Sequence, residues 1–176
     1  MAGEALTFDN LQAALESYGN AVRELYVQNL ISSDRVASHR LIDSVTAQVR
    51  GGDGGTYEVT LSLEDYWKYL EYGTKGTENG NATRKLPPVS KILEWITVKP
   101  VLPRPDDNGR IPKPQQLAWM IAKHIQKHGT EGTNDLERAI DDLFPVYYPK
   151  FIQALTDDLD GGLRRFLLQS FDDLRR

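Results

Sequence analysis

The sequence predicts an α+β fold with a long N-terminal helix, a small antiparallel β-hairpin and several packed helices in the C-terminal half. Apolar residues recur every three or four positions over residues 8–31 and alternate with polar residues over residues 45–63. These periods are typical of an amphipathic helix and of half-buried strands. A chain of 176 residues is long enough for one buried core, so we expect a single domain over residues 1–176. Its expected parts are N-terminal helices over 1–44, the hairpin over 45–63, an aromatic turn with a proline loop and helices over 64–130, and a C-terminal helical region over 131–176.

The amino-acid composition limits the classes of protein to which the chain can belong. Hydrophobic residues make up 40% of the chain and charged residues 26%, which is typical of a folded globular protein. The chain contains no cysteine, so disulfides and thiolate chemistry are excluded and a reducing compartment is favoured. The sequence has no signal-peptide pattern and no apolar stretch of about 18 residues, so we expect cytoplasmic synthesis and no membrane partner.

The charge changes sign along the chain. Residues 1–83 carry a net charge of −6, residues 84–127 carry +6, and residues 128–176 carry −4. A basic segment between acidic ends can bind nucleic acid, but the overall charge of −4 opposes binding to phosphates. We favour contacts between acidic and basic surfaces of neighbouring copies, with ordinary solvated charge as an equally weighted alternative.

The first element is a long amphipathic helix from Phe8 to Ile31. It contains no proline, and one stripe recurs at helical spacing, namely Leu11, Leu15, Tyr18, Val22, Leu25 and Asn29. About 24 residues span roughly 36 Å, more than a compact domain of this size needs. This length indicates packing against a neighbouring subunit. Ser33 is expected to cap a short second helix over residues 35–41.

Residues 45–63 predict a β-hairpin. Val45, Ala47 and Val49 alternate with polar residues, and the same alternation resumes at Tyr57 after the glycine-rich run at 51–55. No helix start or phosphate-reading lysine follows these glycines, so a phosphate-binding loop is disfavoured. We expect a flexible tip that becomes ordered against a partner.

Glycine and proline divide the rest of the chain. An aromatic cluster ends at Gly73, for which we expect a left-handed turn, and Pro87-Pro88 begins a helix. Prolines between 100 and 114 indicate an irregular excursion before a helix over 115–128 that Gly129 ends. Asn134 is expected to cap a further helix, interrupted at Pro145 and Pro149, and a last helical stretch over 151–174 is expected to break at Gly161-Gly162. The string at 72–77 is echoed at 128–133, and we interpret both as helix-ending glycines followed by threonine-rich turns.

The sequence predicts no catalytic residues, no metal site and no cofactor. His124 and His128 share a helical face, but the string lacks the glutamate that follows the first histidine in zinc proteases. No serine lies in a nucleophile turn, and no glycine-rich string has phosphate-loop or dinucleotide spacing. Adjacent acids such as Asp157-Asp158 point about 100° apart on a helix, so we interpret them as solubilising charges. A metallohydrolase that uses the two histidines is the weaker alternative.

Three segments carry a family resemblance: Tyr-Leu-Glu-Tyr-Gly-Thr-Lys-Gly at 69–76, Pro-Pro-Val-Ser-Lys-Ile-Leu-Glu-Trp-Ile at 87–96, and Leu-Ala-Trp-Met-Ile-Ala-Lys-His-Ile-Gln-Lys-His-Gly-Thr at 117–130. In order and spacing they resemble the tail-completion, or neck, proteins of tailed bacteriophages, over residues 45–145. After the second Gly-Thr, this chain has Glu-Gly-Thr-Asn-Asp-Leu where such proteins often have a Pro-Phe element.

The resemblance implies a structural virion protein at the neck of the particle, assembled in the host cytoplasm. Identical subunits would form a ring that joins the portal or connector to the tail tube or other tail proteins. The resemblance implies no enzymatic activity and no cofactor, and contact with packaged DNA in the ring lumen stays open. A nucleic-acid-binding module that uses residues 84–127 is the alternative from another class.

Three segments with few apolar residues are the expected partner sites, and we call them the arms: 51–55, 74–86 and 99–114. Each is flanked by strongly patterned elements, as expected of a firm core with adaptable loops. The expected interface residues lie in the arms or at the turn before the second arm, namely Gly52, Asp53, Gly54, Glu71, Gly73, Thr74, Lys75, Arg104, Arg110 and Lys113.

Overall fold

The computed structural model describes residues 7–33, 39–51, 56–78, 80, 83–99, 101–105 and 109–175, without the side chains of 172–174. The α+β prediction is confirmed. In chain order the elements are α1 (Asp9–Ser32), α2 (Arg40–Ser44), β1 (Thr46–Gly51), β2 (Tyr57–Ser62), α3 (Trp67–Glu71), β3 (Thr74–Lys75), α4 (Val89–Val98), α5 (Pro114–His128), β4 (Gly129–Thr130) and α6 (Asp135–Leu174).

The chain divides into two compact units. The first contains the described residues of 1–32, 44–63 and 135–176, and the second contains those of 33–43 and 64–134. The first unit is therefore built from α1, the β1–β2 hairpin and α6, and the second from α2 to α5 with the β3–β4 pair. The expectation of a single domain stays a prediction.

In the first unit, α1 lies antiparallel to the first part of α6. The start of α1 meets Asp158, through Asn10, and its end meets the start of α6, where Asn29 Nδ2 donates to the Asp135 carbonyl at 3.0 Å. The hairpin pairs in the predicted antiparallel sense, from Thr46 opposite Ser62 to Gly51 opposite Tyr57. A long helix predicted from residues 8–31 is thereby confirmed, and it packs against both α6 and the hairpin.

The core of the first unit lies along α1 on a line one residue away from the predicted stripe. The fully buried residues of α1 are Gly19, Val22, Tyr26 and Leu30. Val22 belongs to both sets, whereas Tyr18 is only half-buried. Gly19 allows the close approach of the hairpin, since a Cβ there would lie 3.0 Å from Val59 Cγ1. Because α6 and the hairpin pack on different sides of α1, the line of buried residues does not follow the centre of the predicted apolar stripe.

The predicted breaks in the C-terminal region are wrong, because α6 is one helix of 40 residues with Pro145 and Pro149 inside it. Both prolines are exposed, so water can satisfy the carbonyls whose helical donors the prolines remove. Tyr147 lies between the two prolines and Phe151 lies just after Pro149. Both pack on Tyr18 of α1, with ring centroids 5.4 and 5.5 Å from the centroid of the Tyr18 ring. Packing of α6 on α1 therefore offsets the local cost of the two prolines.

The second unit has its own core between α4 and α5. Ile92 and Ile96 of α4 pack with Ala118 and Ala122 of α5, and partly buried aliphatic residues surround this cluster. The predicted start of a helix after Pro87-Pro88 and the predicted end at Gly129 are confirmed. Of the short second helix expected over 35–41, residues 35–38 lie outside the described residues, and its last two residues, Arg40 and Leu41, are the first two residues of α2. Among the described residues, no helix is long and apolar enough to cross a membrane.

Candidate partner-binding surfaces

The two echoed glycine-threonine strings, residues 72–77 and 128–133, pair with each other, and we call this pair the glycine clasp. Strand β3 lies antiparallel to β4, with Thr74 opposite Thr130 and Lys75 opposite Gly129. The hydroxyl groups of the two threonines lie 2.8 Å apart. Equivalent residues of the two strings therefore meet at the centre of the pair.

The hydrogen bonds around the clasp have an approximate local two-fold symmetry. The Thr77 amide donates to the Gln126 carbonyl at 2.9 Å, and the Thr133 amide donates to the Leu70 carbonyl at 3.0 Å. The amides of Glu78 and Asn134 repeat the relation, at 3.0 Å to the Lys127 carbonyl and at 3.2 Å to the Glu71 carbonyl. The last residue of each string and the residue after it thus donate to the carbonyls of the two residues that precede the other string. These main-chain bonds join the ends of α3 and α5, and the hydroxyl of Thr133 adds a bond of 3.3 Å to the Leu70 carbonyl.

Glycine is required in the clasp because the two main chains approach more closely than side chains permit. Gly73 has φ +66° and Gly129 has φ +83°, in the left-handed region that favours glycine. A Cβ on either residue would lie less than 3.0 Å from a main-chain carbonyl oxygen, that of Thr130 or that of Thr74. The left-handed turn predicted after Tyr72 is confirmed, and Gly129 ends α5 as expected.

The structure distributes the interface residues expected around the clasp between the interior and the surface. Glu71 is only 2% exposed, so its side chain is not available to a docking partner. Gly73 and Thr74 are half-buried, whereas Lys75 is exposed. The Lys75 carbonyl accepts a hydrogen bond of 2.6 Å from Nη1 of Arg84, which ties the two ends of the second arm together.

The other expected interface residues lie on the first and third arms. Gly52, Asp53 and Gly54 lie outside the described residues. Arg104, Arg110 and Lys113 are exposed on the segment that joins α4 to α5. The Lys113 amide donates to Gln116 Oε1 at 3.0 Å, which satisfies one free donor at the start of α5. Their role in partner binding stays a prediction.

Several cations of the basic segment already have intramolecular partners. Lys91 Nζ lies 2.9 Å from Glu94 Oε2, and Lys127 Nζ lies 3.1 Å from Glu78 Oε1. Lys123 Nζ lies 5.6 Å from the centroid of the Trp119 ring, within range of a cation–π contact. These pairs are exposed, so each contributes about 1 kcal/mol or less to stability.

The two histidines of α5 are neighbours, with ring centroids 4.6 Å apart. Nδ1 of His128 lies 3.2 Å from Glu78 Oε2, which gives this histidine an acidic partner that its helical spacing did not predict. In the part of the chain that the structure describes, no group of three histidine, cysteine, aspartate or glutamate side chains is arranged to hold a metal ion.

Asp158 corrects the interpretation of the paired acids as solubilising charges. Its side chain is 6% exposed and accepts hydrogen bonds from the amides of Asn10 at 3.1 Å and Leu11 at 2.9 Å. A third bond of 2.7 Å comes from Nδ2 of Asn10. The carboxylate therefore caps the positive N-terminal end of α1 from another helix, a role normally filled by a residue next in sequence.

The largest surface that the sequence reasoning missed lies on α6. A line of apolar residues follows one sector of the helix at spacings of three and four, and we call it the outer stripe: Phe144, Tyr148, Ile152, Leu155, Leu159, Leu163 and Phe166. Apart from the half-buried Leu155, their exposed fractions range from 47% at Leu159 to 65% at Phe166. The expected breaks at the prolines and glycines concealed this line, because it is continuous only along an uninterrupted helix.

Acidic residues precede the outer stripe in sequence, and basic residues lie near its end in sequence. Asp141 and Asp142 precede Phe144 and are exposed, and Arg164 and Arg165 follow Leu163 in sequence and are also exposed, about 100° and 200° further around the helix. Arg164 Nε lies 3.0 Å from Asp160 Oδ2, one helical turn earlier. The pKa of Tyr18, on α1, is raised above its usual value. Burial of the phenol is the larger cause, and the nearby Asp141 carboxylate adds to it.

Comparisons of the chain with protein-family models, with curated proteins and with solved structures find no match.

Proposed function

We propose that the chain is a non-catalytic structural virion protein of a tailed bacteriophage, a ring-forming neck or tail-completion subunit that joins the head connector to the tail. The observation that carries this proposal is the packing of the three resembling segments with one another. The segments at 69–76 and 117–130 form the glycine clasp, and the segment at 87–96 packs on α5 through Ile92 and Ile96. Motifs that are separate in sequence thus build one unit.

The exposed surfaces near these motifs support a docking role for that unit. Tyr69 lies just before the clasp and Tyr72 is its first residue, and both are about two-thirds exposed. Lys75, between Gly73 and Gly76, is also exposed. Tyrosine is enriched in protein interfaces and lysine is depleted, so the two tyrosines carry this argument. The clasp holds these residues on a main-chain framework, which limits the entropy lost when a partner binds.

The direct test removes the chain from particle assembly. We expect that disruption of its coding sequence in the phage that encodes it leaves DNA-filled heads and separate tails, as seen by electron microscopy, and that the wild-type chain supplied from a plasmid restores joined particles. An Arg104→Glu variant on the third arm should restore fewer particles than Arg165→Glu, which makes the same charge change at an exposed position of α6 outside the arms. Normal tailed particles after disruption would refute the proposal.

Hydrogen exchange tests whether the arms are the docking sites. The sequence predicts fast exchange over all three arms, but Thr74 to Glu78 of the second arm are already held by the clasp. We therefore expect fast amide exchange in the free protein over 51–55, over the part of 74–86 that follows Glu78, and over 99–114, with slower exchange in purified particles, because ordering a backbone costs about 1–2 kcal/mol per residue and needs partner contacts to offset it. Equal exchange in both states would show that the arms are ordinary solvent-exposed loops. Salt-dependent binding of the free protein to DNA, with no effect of disruption on particle joining, would favour the nucleic-acid alternative.

A further inference from the structure

We infer that copies of the chain associate head to tail, so that Trp119 and Lys123 of one copy bind in a hollow beside Glu16 of the next copy. This contact deepens the ring-forming part of the proposed function, on which its role in the particle rests. Three features support it: the opposite charges of the two compact units, the hollow on the first unit, and an exposed aromatic-cation pair on the second.

The fold divides the charge of the chain into two poles of opposite sign. Along the sequence a basic segment separates two acidic ends, but α1 and α6 pack together, so both ends belong to the first unit. That unit has 15 acidic and 8 basic residues, a net charge of −7, and the second unit has 10 acidic and 13 basic residues, a net charge of +3. Opposite poles favour a contact between unlike surfaces of two copies, which leaves one surface of each kind free for further copies.

The acidic unit has a hollow between α1 and β1. Its volume is about 370 Å³, and both elements line it, through Glu16, Gly19, Asn20, Ala47, Gln48 and Val49. Sites for small molecules have about 300–1,000 Å³, so this hollow accommodates one large side chain. Glu16 accepts a hydrogen bond of 2.9 Å from Nε2 of Gln12, a neutral group that does not compensate the negative charge. A carboxylate beside aliphatic surface suits an aromatic ring that has a cation next to it.

The exposed charges of α1 and α5 have opposite signs. The exposed charged residues of α1 are all acidic, namely Asp9, Glu16 and Glu24. Its one cation, Arg23, is half-buried and donates from Nε to the Val45 carbonyl at 2.8 Å. Helix α5 contains no acidic residue, and both of its lysines are exposed. Lys127 already pairs with Glu78, so Lys123 is the lysine of α5 that is better placed to bind a partner.

Trp119 and Lys123 form the complementary projection on the solvent face of α5. Trp119 is 51% exposed, and Lys123 Nζ, one helical turn further on, lies 5.6 Å from the centroid of its ring. A fully enclosed aromatic side chain buries about 150–250 Å², so a partner can still bury about half of that area. Tryptophan is enriched among the residues that dominate binding energies. The indole ring therefore matches the aliphatic lining of the hollow, and the ammonium group matches Glu16.

Sedimentation of the full-length protein tests the association. We expect the wild type at roughly 100 µM to form species larger than the 19.9 kDa chain, which dissociate as the salt concentration rises. Trp119→Ala should raise the dissociation constant by about 30-fold, as expected for a dominant interface residue. Trp95→Ala is the matched control, since Trp95 is 39% exposed on α4, and it should leave the constant unchanged.

A charge exchange tests the pairing of Lys123 with Glu16. Lys123→Glu and Glu16→Lys should each raise the dissociation constant by about 10-fold or more, because each places like charges together. The double variant should return to within a few-fold of the wild type, since every contact then has opposite charges again. Lys91→Glu, the same charge change on α4, should have little effect. A double variant as weak as the single variants would show that the two residues do not meet.

A mixture of two variants tests whether the contact joins unlike surfaces. Glu16→Lys has an altered hollow and an intact projection, whereas Trp119→Ala has an altered projection and an intact hollow. Each variant alone should be monomeric, and the mixture should form a one-to-one dimer that does not grow further. A mixture that associates no more than its components would overturn the inference. Far-ultraviolet circular dichroism checks that each variant retains its helix content.

A wild-type protein that stays monomeric at roughly 100 µM would also overturn the inference, as would association that Trp119→Ala and Trp95→Ala weaken equally. These measurements use the purified chain and report only the contact between copies. Particle joining is tested separately by disruption of the coding sequence, so failure of this contact and failure of the proposed function are distinguishable.

Discussion

Replacement of Gly73 by alanine tests whether the close main-chain approach in the glycine clasp stabilises the second unit. Gly73 has φ +66°, and its missing Cβ would lie less than 3.0 Å from the Thr130 carbonyl oxygen. Gly109 is the matched control, since it has φ +74° with no atom within 4 Å of the Cβ position. Both substitutions place alanine in the left-handed region, and only one adds a steric conflict.

The expected difference follows from the two costs. A left-handed alanine costs about 1–2 kcal/mol at either position. At Gly73 the β3 and β4 backbones must also separate, which weakens main-chain hydrogen bonds of the clasp, such as Thr133 to Leu70, at about 0.5–1.5 kcal/mol each. We expect Gly109→Ala to lower the free energy of unfolding by about 1 kcal/mol and Gly73→Ala by about 4 kcal/mol.

Native-state hydrogen exchange is the suitable assay because it reports the second unit separately from the first. The amides of Thr77, Glu78, Thr133 and Asn134 should exchange about 100-fold faster in Gly73→Ala than in Gly109→Ala, as expected for a difference of about 3 kcal/mol. Equal exchange in the two variants would show that the strings tolerate a Cβ, and the account of the clasp would be wrong.

Variants at three other contacts are tested by urea denaturation. Asp158→Ala should lower the free energy of unfolding by about 2 kcal/mol through loss of the cap on α1, with Asp158→Asn intermediate; an unchanged midpoint would contradict the capping role. Replacement of both His124 and His128 by alanine should cost less than about 1 kcal/mol, because the contact to Glu78 is exposed, and a larger loss that accompanies release of a bound metal would revive the metal-site alternative. The raised pKa of Tyr18 stabilises the fold below the unfolded-state value of about 10 and loses this contribution as the pH rises through the folded-state pKa. The decline in stability above about pH 10 should therefore be shallower in Tyr18→Phe, and an identical decline would contradict the burial of this phenol.

Periodic patterns predicted the elements that depend on local sequence. The spacing of three and four gave α1 within one residue, Pro87-Pro88 marked the start of α4, and the alternation around the glycine run gave both strands of the hairpin. Rules based on local sequence gave wrong predictions where packing against a distant segment determines the structure. Pro145 and Pro149 lie inside α6 because packing on α1 stabilises the helix on both sides of them.

The contacts at the candidate surfaces were harder to predict from the sequence, because they also depend on segments that are distant in the chain. The echo of the two glycine-threonine strings is visible in the sequence, but no local signal indicates that Thr74 lies opposite Thr130. The burial of Glu71 and of Asp158 depends on segments far away in the chain. The outer stripe could have been found from the spacing of four between Phe144, Tyr148 and Ile152, if α6 had been treated as unbroken.

Electron cryomicroscopy of purified particles tests the proposed function most directly, by locating this chain in the virion. We predict a ring of copies between the head connector and the tail, with the exposed residues around the glycine clasp, including Lys75, at a contact with a neighbouring protein. Absence of the chain from purified particles, or its location away from the head–tail junction, would contradict the proposal.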